Sequence, residues 1–456
     1  MDYLKKFFLT ILLLFFIAFL DGCKTTGRFY YSAPTILPHT TPAMKTAGFW
    51  ISYHPFPDKV ILHPQEVEDF NNRVRDDLKL TKDILKIPSR FSGEQLKIEL
   101  ERNLVQIISK DYYDEDGRIA GQEFFDKIKS DMAFDTIPDE IDVQYGFIVH
   151  FADQRFFPTN QGLYEKAGDI DFDELQNSDL DVGTPVVVLH QSRDNKWLYV
   201  MTDIADGWVK TDLVALCAKE EIEFARGAPF VVVTKAKADI FLDEGMNQYY
   251  DFARMGTRFV FEQVFDNDTL EVRLPVRNEE GQMLWRAGYM SRSNVHQGFL
   301  PYTPRHILQQ AFELLNEPYG WGGMHGEQDC SRLLHEVFDT IGINLPRNSK
   351  EQAQVGRLLA KFNEDTPPEE KLKVLREQAI SGITLLPMKG HIMLYLGMVE
   401  DRPYAIHSVW AYREPVKNQD VIRVINRVAL SDLSLGEGSK KGSLLKRLSG
   451  ISTIEK

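Results

Sequence analysis

A multidomain α+β architecture is what this sequence predicts, on three observations. At 456 residues the chain exceeds what a single core usually holds. Its apolar pattern follows helical spacing from 64 to 137 and then changes to short strands separated by turn residues from about 145. From Thr303 onward helical and strand patterns mix within one segment. The expected order is a presequence over 1–22, a tether over 23–43, a helical N-terminal domain over 44–140, a small β-barrel over 141–220, a second over 221–300, a mixed α+β unit over 301–430 and a tail over 431–456.

Taken in order, Lys5 and Lys6 precede an apolar run from Phe7 to Leu20, which ends at Leu20-Asp21-Gly22-Cys23. About 20 apolar residues are needed to span a bilayer, so this shorter run reads as the core of a signal peptide. Its ending resembles a bacterial lipoprotein signal, which implies that Cys23 becomes an acylated first residue and anchors an exported protein to a membrane. The alternatives are an ordinary signal peptide and an uncleaved anchor. Thr, Pro and Ser dominate from Thr26 to about Pro42, as in a linker. Gln65 to Leu80 and the run opened by Ser92-Gly93-Glu94-Gln95 carry helical spacing. Strands follow over 145–151, 185–190, 196–202 and 207–210, then over 230–234, 258–264, 269–276 and 282–289, at the spacing of small barrels. In the last unit Pro304 opens a helix through Leu308, Phe312 and Leu315, and another is expected over 370–379. The tail joins a basic cluster, Lys440, Lys441, Lys446 and Arg447, to the apolar Leu444, Leu445 and Leu448, and reads equally as a solvated terminus or a docked segment.

The chemistry concentrates in that last unit. Pro318-Tyr319-Gly320-Trp321-Gly322-Gly323 precedes Asp329-Cys330-Ser331-Arg332, and from there Leu333, Leu334, Val337, Phe338 and Ile341 recur at helical spacing up to Gly342. Cys330 therefore falls in the first turn of a helix. Unpaired N–H groups and the positive end of the helix dipole there favour thiolate and lower the thiol pKa. Downstream, Gly390-His391 opens an apolar strand, and Pro403 to Trp410 forms a second around His407, with Glu400-Asp401-Arg402-Pro403 carrying the turn residues between them. Packed on the Cys330 helix, such a hairpin lets one imidazole accept the thiol proton while the other orients it.

These residues, with Leu345-Pro346-Arg347-Asn348-Ser349 and Gln352, resemble the NlpC-type cell-wall cysteine peptidases, papain-like α+β hydrolases of bacterial peptidoglycan stem peptides. The resemblance implies Cys330 as nucleophile, His391 as general base and His407 as its orienting group. It places Tyr319 and Trp321 at the pocket wall and counts Asp329, Ser331, Arg332, Arg347, Asn348 and Ser349 as substrate-binding residues. Lys196 to Val200 with Asp206 to Val209, and Tyr145-Gly146-Phe147 with Arg155 to Thr159, look like the two ends of a bacterial SH3-like domain. Two SH3-like barrels beside a papain-like peptidase are similar to γ-D-glutamyl-L-diamino acid endopeptidases, which implies stem peptides or muropeptides as partners and a preference for a free N-terminal L-alanine. Some members carry Asp where this chain has Asn348, so the charge that would meet a free amine is missing at that position.

Charge and cysteine content limit the alternatives. With 53 Lys and Arg against 67 Asp and Glu the net charge is −14, a poor polyanion binder, so nucleic acid is not an expected partner. Of three cysteines, an acylated Cys23 would leave Cys217, expected as a core residue, and Cys330, which excludes a disulfide framework. Paired Cys or His at metal-ligand spacing is missing, and neither metal nor other cofactor is expected. Two other readings share the same residues: an inactive lipid-anchored wall-binding scaffold, and an acyltransferase using the same nucleophile.

Overall fold

The computed structural model describes residues 30–265, 268–417 and 419–456, so the expected signal peptide and Cys23 lie outside the described residues. Three seven-stranded sheets organise the chain. The first runs in the order Val214–Cys217, Gln144–Ile148, Pro185–Gln191, Trp197–Met201, Asp206–Lys210, Ala152–Arg155, Gln176–Leu180, with antiparallel neighbours. Both of its faces are buried, and the side-chain alternation shows it: Val187, Tyr199, Met201 and Trp208 enter one cluster, while Val186, Val188, Val200 and Val209 enter another. The second sheet, from Phe230–Val233 to Val295–Gln297, encloses its own small cluster around Val231, Ile240, Phe259, Val272 and Leu274.

The region expected as one helical domain, 44–140, divides between two cores. Ser92 caps the helix Gly93–Ile108 by accepting from the Gln95 N–H, and that helix turns Leu96, Leu100, Leu104 and Ile107 onto Tyr145, Phe147 and Trp208 of the first sheet. Leu96 and Leu100 are fully buried, each worth about 1.5–3 kcal/mol of apolar transfer. Met44, Trp50, Leu62, Val67, Phe70 and Val74 instead join the core of the C-terminal unit. Short amphipathic helices each carry one apolar stripe, and a stripe is covered by whichever larger surface lies nearest.

That C-terminal unit is a sheet in the order Tyr30–Ser32, Gln419–Asp432, Arg402–Val416, His391–Val399, Thr384–Met388, Gly450–Thr453, Arg357–Lys361. Ile392, Leu394 and Leu396 pack on the helices Pro304–Glu313 and Cys330–Asp339, while Met393 and Tyr395 pack towards the helix Pro368–Gln378. Glu400 and Asp401 close the hairpin with φ of 48° and 62°, the left-handed pair that a two-residue turn requires. Both chain ends depart from the expected tether and tail. Tyr30–Ser32 pairs in parallel with Ile422–Val424, and Leu37 is buried. Ser431 and Asp432 complete a strand, Leu444 and Leu448 are buried, and Gly450–Thr453 sits inside the sheet, so of the two readings of the C-terminal segment the docked one holds.

Candidate active site

Asp329 caps the Cys330–Asp339 helix, its Oδ1 accepting from the backbone N–H groups of Ser331 at 3.0 Å and Arg332 at 2.8 Å. Cys330 thus occupies the first helical position, 8% exposed, at the floor of a cleft of about 540 Å³. His391 opens its strand on the facing wall and its ring reaches the same cleft. Its Nε2 lies 2.7 Å from Nδ1 of the fully buried His407, and Nε2 of His407 lies 3.0 Å from the Ser431 hydroxyl. With Nε2 committed to His407, Nδ1 is the nitrogen left to the cleft.

Ser431 escaped the sequence reading, because it stands near the start of a segment taken for a tail. Strand register brings it here: Ala429 pairs with His407, and Ser431 follows two residues later on the same face. The presence of Ser rather than an apolar residue at a buried strand position was the available signal.

Burial dominates the electrostatics. It pushes the Cys330 thiol up to about 12, helped by the Asp329 charge and opposed by the Ile392 N–H, Arg347 and the Ser331 N–H. Burial, with the charge of Arg447, pushes His391 down to about 4, and burial holds His407 well below its ordinary range. The expectation of a thiol acidified by its helix start is therefore corrected. Desolvation of the thiolate opposes the helix dipole, and burial favours the neutral form of both thiol and imidazole.

The expected substrate residues separate. Tyr319, Trp321, Asn348 and Ser349 line the cleft with Cys330. Asp329, Ser331 and Arg347 also border it but are spent on one another: Arg347 Nη2 donates to Asp329 Oδ2 at 2.8 Å, and its Nε donates to Ser178 Oγ at 2.9 Å. Arg332 turns away. Its guanidinium reaches Asp181 at 2.8 Å and Glu336 at 3.1 Å, so this residue belongs to a buried ionic junction rather than to the cleft. Arg254, from the second sheet, completes that junction on Asp181 and Asp179 of the first.

The first sheet also closes the cleft. Phe172 lies edge-on to Trp321 at 5.4 Å and to Trp410 at 5.2 Å, with Phe156, Glu174, Gln176 and Asn177 beside it. The glycine loop before Cys330 is shaped by this contact. Gly323 has φ of 89°, and a Cβ there would fall 2.1 Å from the Asp179 carboxylate, so only glycine lets the two units meet. Among the described residues no cluster suited to a metal ion occurs.

The thiol thus sits at a helix start that packs against antiparallel strands of the C-terminal sheet. Residues 316–409 match the NlpC/P60 family, and residues 163–210 match the SH3 domain of SH3b1 type. The chain therefore carries an NlpC/P60 domain, the unit of a family of peptidoglycan hydrolases, together with an SH3b domain. A γ-D-glutamyl-L-lysine dipeptidyl-peptidase of Bacillus cereus (strain ATCC 10987 / NRS 248) is 28% identical over 156 residues, 33% of this chain and 44% of that protein. One of the same name from Bacillus subtilis (strain 168) is 36% identical over 56 residues, 12% of this chain and 19% of that protein. The chain thus spans less than half the length of these two curated relatives. A solved NlpC/P60 endopeptidase from Photobacterium damselae subsp. piscicida is 21% identical, covers 93% of this chain and 98% of its own, and superposes with a TM-score of 0.74, a likeness of fold.

Proposed function

We propose that the chain is a cysteine peptidase that cuts the amide between γ-D-glutamate and the diamino acid of peptidoglycan stem peptides or muropeptides, on a scaffold of a helical N-terminal region, two SH3-like barrels and the papain-like unit. The observation that carries it is the hydrogen-bonded line from His391 through His407 to Ser431, with Cys330 and His391 lining one cleft. In the competent tautomer, Nδ1 of His391 takes the thiol proton, Nε2–H of His391 donates to His407 Nδ1, and Nε2–H of His407 donates to Ser431 Oγ. Because thiol and imidazole rest neutral, proton transfer accompanies attack of sulfur on the γ-carbonyl instead of preceding it.

The tetrahedral oxyanion is stabilised by the backbone N–H of Cys330, one of the unpaired donors of the helix start. His391 then returns its proton to the leaving amine, and water attacks the thioester with His391 again as base. Phe172 and Glu174 of the SH3b-side wall support a preference for a short acyl half ending in a free amine: the aromatic ring limits its length, and the carboxylate complements an ammonium that Asn348 cannot.

Incubation of the mature protein with L-Ala-γ-D-Glu-diaminopimelate, analysed by mass spectrometry beside Cys330→Ala, tests this. Release of the free diamino acid by wild type alone is expected, and an uncut tripeptide overturns the reading. The NlpC/P60 and SH3b matches point to the cell envelope or exterior as the site of action. No helix among the described residues is long and apolar enough to cross a membrane, and we assign anchoring to acylation of Cys23. Loss of acyl labelling and of membrane fractionation in Cys23→Ser is expected; an unchanged distribution overturns that assignment.

A further inference from the structure

The basic cluster near the C-terminus is not used by the hydrolytic machinery, yet part of it faces the cleft. Arg447 ends the short helix Leu444–Arg447 and lines the cleft together with Cys330 and His391. Its backbone is clamped on both sides: Lys371 Nζ donates to the Lys446 carbonyl at 2.7 Å and to the Leu448 carbonyl at 2.9 Å, and Leu444 and Leu448 are buried. The side chain is therefore held at the cleft by a docked segment and does not wave from a free tail.

Among the described residues, no carboxylate pairs with the Arg447 guanidinium and no acceptor hydrogen-bonds to it. It is half-buried, and burial, with the charge of Arg413, holds it below its ordinary pKa. Arg413 and Lys441 line the same cleft, Arg413 reaching Asp420 only at 3.7 Å. The carboxylates lining the cleft are elsewhere: Asp329 is held by Arg347, and Glu174 stands on the SH3b side. The cleft is thus polarised, acidic towards the SH3b domain and basic towards the C-terminal segment. A guanidinium stripped of water without a partner is unfavourable, and a carboxylate placed against it relieves that cost.

Direction follows from the mechanism. In the proposed mechanism His391 protonates the leaving amine, and Arg447 lines the same cleft as His391 and Cys330, opposite the SH3b-side residues, so the basic wall is assigned to the leaving half of the substrate. We propose that Arg447, backed by Arg413 and Lys441, is a carboxylate-binding subsite for the diamino acid on the amine side of the cleaved bond. This rests on the γ-glutamyl hydrolase reading above, and goes beyond it by making the charge of the leaving half a determinant of specificity.

The test compares L-Ala-γ-D-Glu-diaminopimelate carrying free diaminopimelate carboxylates with the same peptide carrying both as carboxamides. Wild type should favour the free acid by about tenfold or more in kcat/KM, the scale of a hydrogen-bonded charge pair. Arg447→Gln should bring that ratio close to one, chiefly by raising KM for the free acid, and Arg447→Lys should keep part of it. Turnover of the carboxamide by each variant reports that the protein is folded. Equal losses on both peptides in Arg447→Gln, or an undiminished ratio, overturn the subsite while the hydrolase reading stands. If wild type cuts neither peptide, the hydrolase reading falls, and the subsite with it.

Discussion

Replacing Arg254 with methionine should loosen the joint between the first two sheets and the Cys330–Asp339 helix. Arg254 is fully buried and donates to Asp181 through Nε at 3.0 Å and Nη2 at 2.7 Å, while its Nη1 contacts Asp179 and lies 3.7 Å from Glu336. After the substitution Arg332 alone faces those three carboxylates, at 2.8 Å from Asp181, 3.4 Å from Asp179 and 3.1 Å from Glu336. Above about pH 7, where Glu336 is ionised as well, two more negative charges than cations are left in that junction. Breaking such a buried pair costs about 3–5 kcal/mol, which lowers Tm by roughly 6–20 °C for a unit of this size.

The loss should depend on pH with a definite sign. Burial pushes the Glu336 carboxyl up to about 7 despite Arg254 and Arg332, so between its ordinary 4.5 and about 7 the folded state holds a proton that the unfolded state has released. Stability from this group is complete below about 4.5 and falls as pH rises through that window. Burial also acts to raise Asp181, but the charges and hydrogen bonds of Arg254, with Arg332, outweigh it and hold the carboxyl down to about 2; its contribution is present above 3.8 and lost as pH falls towards about 2. Arg254→Met removes the cation behind both, so its penalty should be largest above about pH 7 and shrink towards pH 5 as the stranded carboxyls take up protons. Differential scanning calorimetry of wild type, Arg254→Met and Arg254→Met/Asp179→Asn at both pH values measures this. A drop below about 2 °C at pH 8, or no recovery in the double variant, would refute the reasoning.

Three further outcomes are expected. Ser431→Ala should lower kcat by roughly five- to thirtyfold with little change in KM, the value of one hydrogen bond of about 1–2 kcal/mol to His407, and an unchanged kcat removes Ser431 from the relay. Gly323→Ala should destabilise the protein by about 1–3 kcal/mol, since it forces a Cβ into the Asp179 carboxylate at a left-handed backbone position; a chemical denaturation midpoint equal to wild type contradicts this. His391, depressed from 6.5 to about 4, should stay competent as a base well below pH 6.5, so the acidic limb of kcat/KM should fall near 4 and not near 6.5. Its contribution to stability has the same sign: present above 6.5 and lost as pH falls through about 4.

Local order was legible wherever one residue pattern decides it. Ser92, Pro304 and Asp329 mark helix starts by capping or by a fixed φ, and the strands at His391 and His407 are bounded by turn residues whose chemistry is local. Which surfaces pack together across long sequence separations was less legible. The helices beginning near Gln65 and Ser92 are legible as helices, but which sheet covers each apolar stripe depends on surfaces far away in sequence. Arg332 stands two positions after the cysteine and is expected at the substrate, yet two positions along a helix turn a side chain by about 200°, and here it meets Asp181 beyond the cleft.

By itself, then, the sequence determined the α+β succession, the thiol at a helix start and the two histidines on adjacent strands, because caps, periodicity and turns act over a few residues. Only the tertiary structure decided that the C-terminal segment completes the sheet, that Ser431 extends the histidine pair, that Phe172 and Gly323 join the SH3b side to the cleft, and that burial opposes ionisation of the thiol. Those outcomes depend on strand register, domain docking and desolvation, which arise between residues that the chain separates by tens to hundreds of positions.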